Sequence, residues 1–326
     1  MIATFLQRAI MQGIPLLYGS TGEIITEKSG HLNLGIPGIM YVGGISGVIG
    51  AFFYKNGVEV MHPALAILIP LACSLLGSLL MGLIYCFLTV TLRANQNVTG
   101  LALTTFGIGV GNFFGGSLTK LASNGATSIE LTQFEIYFSK SLPFADKLGW
   151  FGTIFLSHGF LVYLAVIIAL IAAFVLKRTR VGLQLRAVGE SPATADAAGI
   201  NVNLYKYVAT CTGSMIAGLG GLYYVVDYMG IWSNDGFGDR GWLAIALVIF
   251  AVWRPNTGIF GSLIFGGLYI LYAFVQIPGF GVAEQELFKM LPYLVTVVVL
   301  IVTSIREKRE SQPPQSLGLA YFREER

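Results

Sequence analysis

Six apolar runs in this chain of 326 residues, 29–54, 63–92, 94–119, 148–176, 207–226 and 255–283, are long enough to cross a bilayer. A helix needs about 20 apolar residues to span roughly 30 Å of hydrocarbon. Lipid offers no water to the backbone N–H and C=O groups, so runs of this kind must be helices. Shorter runs at 9–22, 241–253 and 290–305 raise the expected number of spans to about nine, within a range of eight to ten. The predicted fold class is an all-α polytopic membrane protein. Only 11% of the residues are charged, whereas soluble domains carry about 25%. The 41 glycines suit close helix packing in lipid, where small residues let backbones approach. Gly35-Ile36-Pro37-Gly38 interrupts the 29–54 run and predicts a broken or re-entrant element, with some of the shorter runs as half-helices.

Basic residues set the orientation. Lys177, Arg178, Arg180, Arg186 and Lys206 cluster in one loop, and Arg306, Lys308 and Arg309 follow the last run. With both regions cytoplasmic, Lys28, Arg93 and Arg254 also fall inside. The first run then starts outside the membrane and the C-terminus ends inside. The domain reading is a transmembrane unit over 1–305, interrupted by a cytoplasmic loop at 177–206. A tail over 306–326, with Pro313-Pro314 and mixed charge, reads as cytoplasmic and disordered. The longest external segment is 120–148.

Two regions share a plan. The run at 9–22 is followed by the polar patch Glu23, Glu27, Lys28 and His31, and 207–226 by Asp227, Asp235, Asp239 and Arg240. Each patch precedes a Gly-rich or short apolar stretch and then a long run. The patches fall on opposite sides of the membrane, as in the inverted repeats of transporters. Chance likeness between apolar segments is the competing explanation.

Several functions are excluded by what is missing. There is no G-x-x-x-x-G-K-[ST] loop, so ATP is not bound through a P-loop, and no Cys/His metal spacing or paired catalytic set. No cofactor or metal is expected in this chain, and a net charge of +3 does not point to nucleic acid. Cys73, Cys86 and Cys211 lie in apolar runs and read as small core hydrophobes. His31, His62 and His158 read as interfacial. Arg93–Asn112 has a polar side made by Gln96, Asn97, Thr99, Thr104, Thr105 and Asn112. With Asn33, these are the candidates for lining a pathway, though neutral groups at membrane depth also serve as interhelical glue. The absence of an evident chain of buried acids or lysines argues against proton coupling.

The segment 186–201 is polar and Ala-rich. Ser191-Pro192 reads as an N-cap with proline at the first helical position, and Gly199 as a helix stop. A helix this short is marginal in water, so the membrane domain or a partner must hold it. A solvated loop is the plain alternative. Glu23, Glu27 and Lys28 similarly suggest a short interfacial helix.

Two stretches now carry a resemblance. The first runs through Gly22-Glu23, Glu27-Lys28-Ser29-Gly30, Leu32-Asn33-Leu34-Gly35 and Gly38-Ile39-Met40. The second is Arg186-Ala187-Val188-Gly189-Glu190-Ser191-Pro192, continuing through Asp196 and Gly199 to Val202. Together they resemble the inner-membrane permeases of the ribose/branched-chain amino acid ABC importer class, most closely its nucleoside importer permeases, over about residues 5–305. Ile36-Pro37 departs from the pattern, where relatives often carry an acidic residue. The resemblance implies a plasma-membrane permease working with a separate ATP-binding subunit that holds ATP and Mg. It also implies a second permease chain, forming a heterodimer, and a substrate-binding lipoprotein. It implies that 190–199 is the coupling helix, with Glu190, Ser191, Pro192, Thr194, Asp196 and Gly199 facing the ATPase and Arg186 at the root. Nucleosides are the implied cargo. A ribose or other sugar permease is one alternative, and an autonomous secondary transporter or channel another.

Overall fold

The computed structural model describes residues 2–122, 127–142, 145–274, 287–306 and 312–322. Helix α1 (Ile2–Glu27) is followed by α2 (Ile36–Gly57), α3 (Pro63–Cys86, continued by a π-helical turn, Phe87–Thr91) and α4 (Gln96–Ala122). Then come strand β1 (Ser128–Glu130) and the helices α5 (Thr132–Phe138), α6 (Gly149–Phe155) and α7 (Phe160–Arg178). Two short helices, α8 (Arg180–Glu190) and α9 (Pro192–Ala197), precede α10 (Val202–Leu222), which ends in a second π-helical turn, Tyr223–Tyr228. Strand β2 (Ile231–Ser233), α11 (Arg240–Phe250), α12 (Pro255–Phe274) and α13 (Leu291–Arg306) complete the order.

Seven helices among the described residues are long and apolar enough to cross a membrane. Helix α1 is long enough too, but Arg8, Gln12, Glu23 and Glu27 lower its hydropathy. Helix α11, at 11 residues, rises only about 16 Å at 1.5 Å per residue, so it is a half-helix. The span count thus agrees with the sequence expectation.

Several details differ from that expectation. Pro37 sits in the first turn of α2, where proline costs no hydrogen bond. The break therefore precedes the helix, and α2 is continuous rather than re-entrant. Glu23 and Glu27 do not form an interfacial helix but the last turns of α1, and both are buried. The 148–176 run is split between α6 and α7. The His158 ring bonds the Ile154 carbonyl at 2.8 Å, and extended Gly159 caps α7. His31 and His158 are buried instead of interfacial. The all-α expectation misses one small element. Strands β1 and β2 pair antiparallel, with Ile129 opposite Trp232.

Helix α1 lies inside the bundle, against α7, α10, α11 and α12, while α2, α3 and α10 pack on one another. At the α2–α10 crossing the backbones touch. A Cβ on Gly221 would stand 1.8 Å from the Met40 carbonyl oxygen, and one on Gly43 2.4 Å from the Gly218 Cα. No other residue fits there. The connections 28–35 and 229–239, which follow α1 and α10, lie at opposite ends of the bundle. The first meets Gln96 and Thr210, the second Asn112 and Glu130. We term the end holding 28–35 the basic end.

Overpacking of this kind costs about 1–3 kcal/mol or more. Gly221→Val should therefore lower the thermal unfolding midpoint of the detergent-solubilised protein by several degrees. Gly109→Ala, which has nothing within 4 Å of the added carbon and lies inside a helix that alanine favours over glycine, should not lower it.

Candidate coupling surface and pathway

The connection 28–35 is built like a buried turn, and most of its main-chain N–H groups find partners, as burial demands. Gly30 takes the left-handed conformation at φ +77°. The Ser29 hydroxyl donates to the Thr26 carbonyl at 2.6 Å, and Leu32 N–H donates to Gln96 Oε1 at 2.8 Å. Asn33 N–H donates to Glu23 Oε1 and Gly35 N–H to Asn33 Oδ1, both at 2.9 Å. The Tyr85 hydroxyl donates to the Leu32 carbonyl, and Thr104 to the Leu34 carbonyl at 2.8 Å. His31 has Thr210 on Nδ1 and Thr89 on Nε2, both at 2.8 Å. The Thr89 proton already goes to the Tyr85 carbonyl, so Thr89 accepts from Nε2–H. Burial, with Lys206 nearby, pushes the His31 pKa down to about 3.

Around this turn lie buried Glu23, Glu27 and Lys206. Glu27 Oε2 accepts from the Trp253 indole. Trp253 reaches it from a tight turn after α11, in which Val252 and Trp253 both take positive φ, 53° and 52°. Bulky residues rarely hold that conformation, and such strain persists only where the surroundings impose it. The sequence reading that buried acids and lysines are lacking is thereby corrected. The i, i+4 spacing of Glu23 and Glu27 was visible, but the depth of α1 was not.

The second signature stretch forms an elbow. Helix α8 ends at Glu190, Ser191 turns the chain, and α9 begins at Pro192. Thr194 N–H donates to Ser191 Oγ at 3.4 Å, the expected N-cap. Gly199, at φ +81°, stops the helix, and Asn201 caps α10 through Leu204 N–H at 3.0 Å. The expected single helix over 190–199 is therefore shorter and is preceded by a second one. Gly189 lies against the first signature stretch: a Cβ there would be 2.3 Å from the Lys28 carbonyl oxygen. Lys28 is held below the ordinary lysine value, first by burial and also by Arg186 and Arg254, against the opposing pull of Glu190 and Glu27. The two stretches that carry the family resemblance thus touch. Arg186, Glu190 and Thr194 are exposed, Ser191, Pro192 and Asp196 half-buried, and within α9 only Ala195 turns fully inward.

The expected disordered tail is corrected for residues 312–322. Ser316 N–H donates to the Gly189 carbonyl at 3.1 Å, Gly318 N–H to the Gly30 carbonyl at 3.3 Å, and the Tyr321 hydroxyl to Asp196 Oδ2 at 2.9 Å. Residues 307–311 and 323–326 lie outside the described residues. The order comes from apolar anchors that composition hides: Leu317 packs with Ile24 and Leu185, and Tyr321 with Val188, Ala195 and Val202.

The pathway candidates separate. Asn33, Gln96, Thr99 and Thr104 are buried, and all but Thr99 hold the 28–35 turn in place as described above. Asn97 and Thr105 lie on the exposed side of α4. Asn112 belongs to the opposite end, where it accepts from the Tyr41 hydroxyl and donates to Asp235 Oδ1 at 2.9 Å. Near that end, Arg240 stacks over Tyr224 at 4.0 Å, and its Nη2 donates to Gln12 Oε1 at 3.3 Å. Sequence reasoning missed Arg240 and Asp227 as buried groups, because Asp227 follows one apolar run and Arg240 precedes another, so both read as loop residues.

Residues 5–300 match the family described as the branched-chain amino acid transport system / permease component. The chain belongs to this family. It is a multi-pass membrane subunit of a transport system, not an enzyme. Among its relatives, the nucleoside ABC transporter permease NupC of Lactococcus lactis is 32% identical, covering 89% of each chain. A Haloferax volcanii protein provisionally named a glucose ABC transporter permease, TsgC13, is 30% identical over 99% of this chain and 98% of its own. The guanosine ABC transporter permease NupQ of Bacillus subtilis is 27% identical over 97% and 96%. These likenesses run nearly end to end.

A pH dependence follows from His31. Its pKa is lower folded than unfolded, so unfolding takes up a proton below the unfolded value of about 6.5. The stability from a neutral His31 is complete above that pH and is lost as pH falls toward about 3, at about 1.4 kcal/mol per pH unit. His31→Gln should be less stable than wild type at pH 7.5 but should lose less on acidification to pH 5. Unfolding midpoints measured at the two pH values check both signs.

Proposed function

We propose that this chain is the membrane-spanning permease subunit of an ATP-driven importer for nucleosides. The observation that carries this reading is the near full-length likeness to NupC, a named nucleoside permease. NupQ, named a guanosine ABC transporter permease, supports the same cargo. The sequence lacks a P-loop, so ATP and Mg act in a separate ATP-binding subunit. That subunit docks on the α8–α9 elbow at the basic end, taken as cytoplasmic by the positive-inside bias. Arg186, Glu190, Thr194 and Asp196 give it charged and polar contacts, while Ser191, Pro192 and Gly199 shape the elbow. A substrate-binding lipoprotein delivers solute at the opposite face.

A second permease chain completes the pathway. Asn97, on the outward side of α4, is costly to leave in lipid, which favours a protein neighbour there, while the Thr105 hydroxyl on the same side already donates to the Leu101 carbonyl at 3.3 Å. These two and Asn112 remain the pathway candidates. A sugar cargo is the second reading, favoured by the likeness to TsgC13.

The test is ATP-dependent uptake by the assembled transporter in proteoliposomes, with labelled guanosine, uridine, ribose and glucose. Nucleoside uptake that requires the ATPase is expected. Sugar uptake alone would replace the cargo, and uptake by this chain without an ATPase would overturn the reading. Glu190→Lys with Asp196→Lys should leave membrane insertion intact and reduce uptake at least about tenfold, the effect of losing roughly 1.4 kcal/mol of coupling.

A further inference from the structure

The contacts of residues 314–322 are more specific than a tail requires. The segment is folded on itself by Leu317 N–H to the Pro314 carbonyl and Leu319 N–H to the Ser316 carbonyl, both at 3.1 Å, with Gly318 at φ +80°. It then touches three separate parts of the basic end. Ser316 bonds the Gly189 carbonyl through both its N–H and its hydroxyl. Gly318 bonds the Gly30 carbonyl, and Gln96 Nε2 donates to the Leu319 carbonyl at 3.2 Å. The Tyr321 hydroxyl bonds Asp196, and the Arg93 guanidinium lies 4.8 Å from the Phe322 ring centre. Pro314 and Ser316 are buried, and a Cβ on Gly30 would meet Ser316 Oγ at 2.5 Å.

Helix α9 has six residues and cannot stand alone in water. Its inward residue, Ala195, packs in a small cluster with Val188 and Val202, against which Tyr321 also lies. Ala193, Thr194, Ala197 and Ala198 stay exposed on its other side. The segment therefore supports α9 from beneath and leaves its outward face open.

We propose that residues 314–322 form a strap that positions α9 for the ATPase and ties its movement to the 28–35 connection and the start of α4, with Tyr321 as the positioning residue on α9. The proposal rests on the reading that α9 is the ATPase-docking element. A displacement of α9 pulls on Tyr321, and through Leu319, Gly318 and Ser316 reaches Gln96, Gly30 and Gly189. The strap thus adds the Tyr321 contact to the caps and the Ala195 packing that hold α9.

Two readouts test it. In the full transporter, Tyr321→Phe and a stop after Gln312 should each lower solute moved per ATP hydrolysed, the truncation about tenfold, as for loss of one charge-assisted hydrogen bond and its packing. ATPase co-purification with the Tyr321→Phe variant should persist. In the permease alone, hydrogen exchange at residues 192–198 should quicken about tenfold in both variants, while exchange in α2 and α10 stays unchanged. Unchanged exchange at 192–198 overturns the strap, as does unchanged coupling in a wild-type background that transports. Should the truncation not fold, Tyr321→Phe decides by the same measures. Faster exchange in a protein whose wild type shows no ATPase-dependent uptake would instead refute the docking reading and leave the strap as a support for α9.

Discussion

The backbone-to-backbone contact of α2 with α10 is the constraint on which the rest of the architecture depends. Gly43 on Gly218 and Gly221 on the Met40 carbonyl bring the helix axes as near as chains can come. Close packing of this kind is a main source of helix association in lipid, where no hydrophobic force separates helix from solvent. It sets the distance between the two signature regions, because 28–35 leads into α2 and the α8–α9 elbow leads into α10. Thr210 of α10 can bond His31 only because of that closeness.

The turn at 28–35 then acts as a hub. Side chains from α1, α3, α4 and α10 meet it, namely Glu23, Tyr85 and Thr89, Gln96 and Thr104, and Thr210. Low dielectric makes such a network strong when satisfied and costly when not. Glu23 Oε2 and Asn33 Nδ2 lack a partner among the described residues, so the hub also holds polar capacity beyond what its own bonds use.

Much of the architecture was legible in the sequence. Long apolar runs, Pro at helix starts and Gly stops are local signals, and α3, α4, α9 and α12 follow them closely. What escaped was set by tertiary contact. Glu23, Glu27 and His31 look like surface residues in a one-dimensional reading, yet they are buried because α1 lies inside the bundle. The β1–β2 pair joins residues about a hundred positions apart, beyond the reach of any local pattern. The tail reads as disordered by composition, although one tyrosine, one leucine and a serine suffice to anchor it. At the elbow, the caps were readable from Ser191, Pro192 and Gly199, whereas the contact of Gly189 with Lys28 was not.

The central claim is that force enters this permease at the α8–α9 elbow. Cysteine cross-linking between Ala197, exposed on α9, and the groove of the ATP-binding subunit in the assembled transporter tests it most directly. The account predicts efficient cross-linking from an Ala197→Cys variant and none from Trp150→Cys, an exposed position at the opposite end. A transporter that moves solute with ATP yet gives no cross-link at 197 would contradict it.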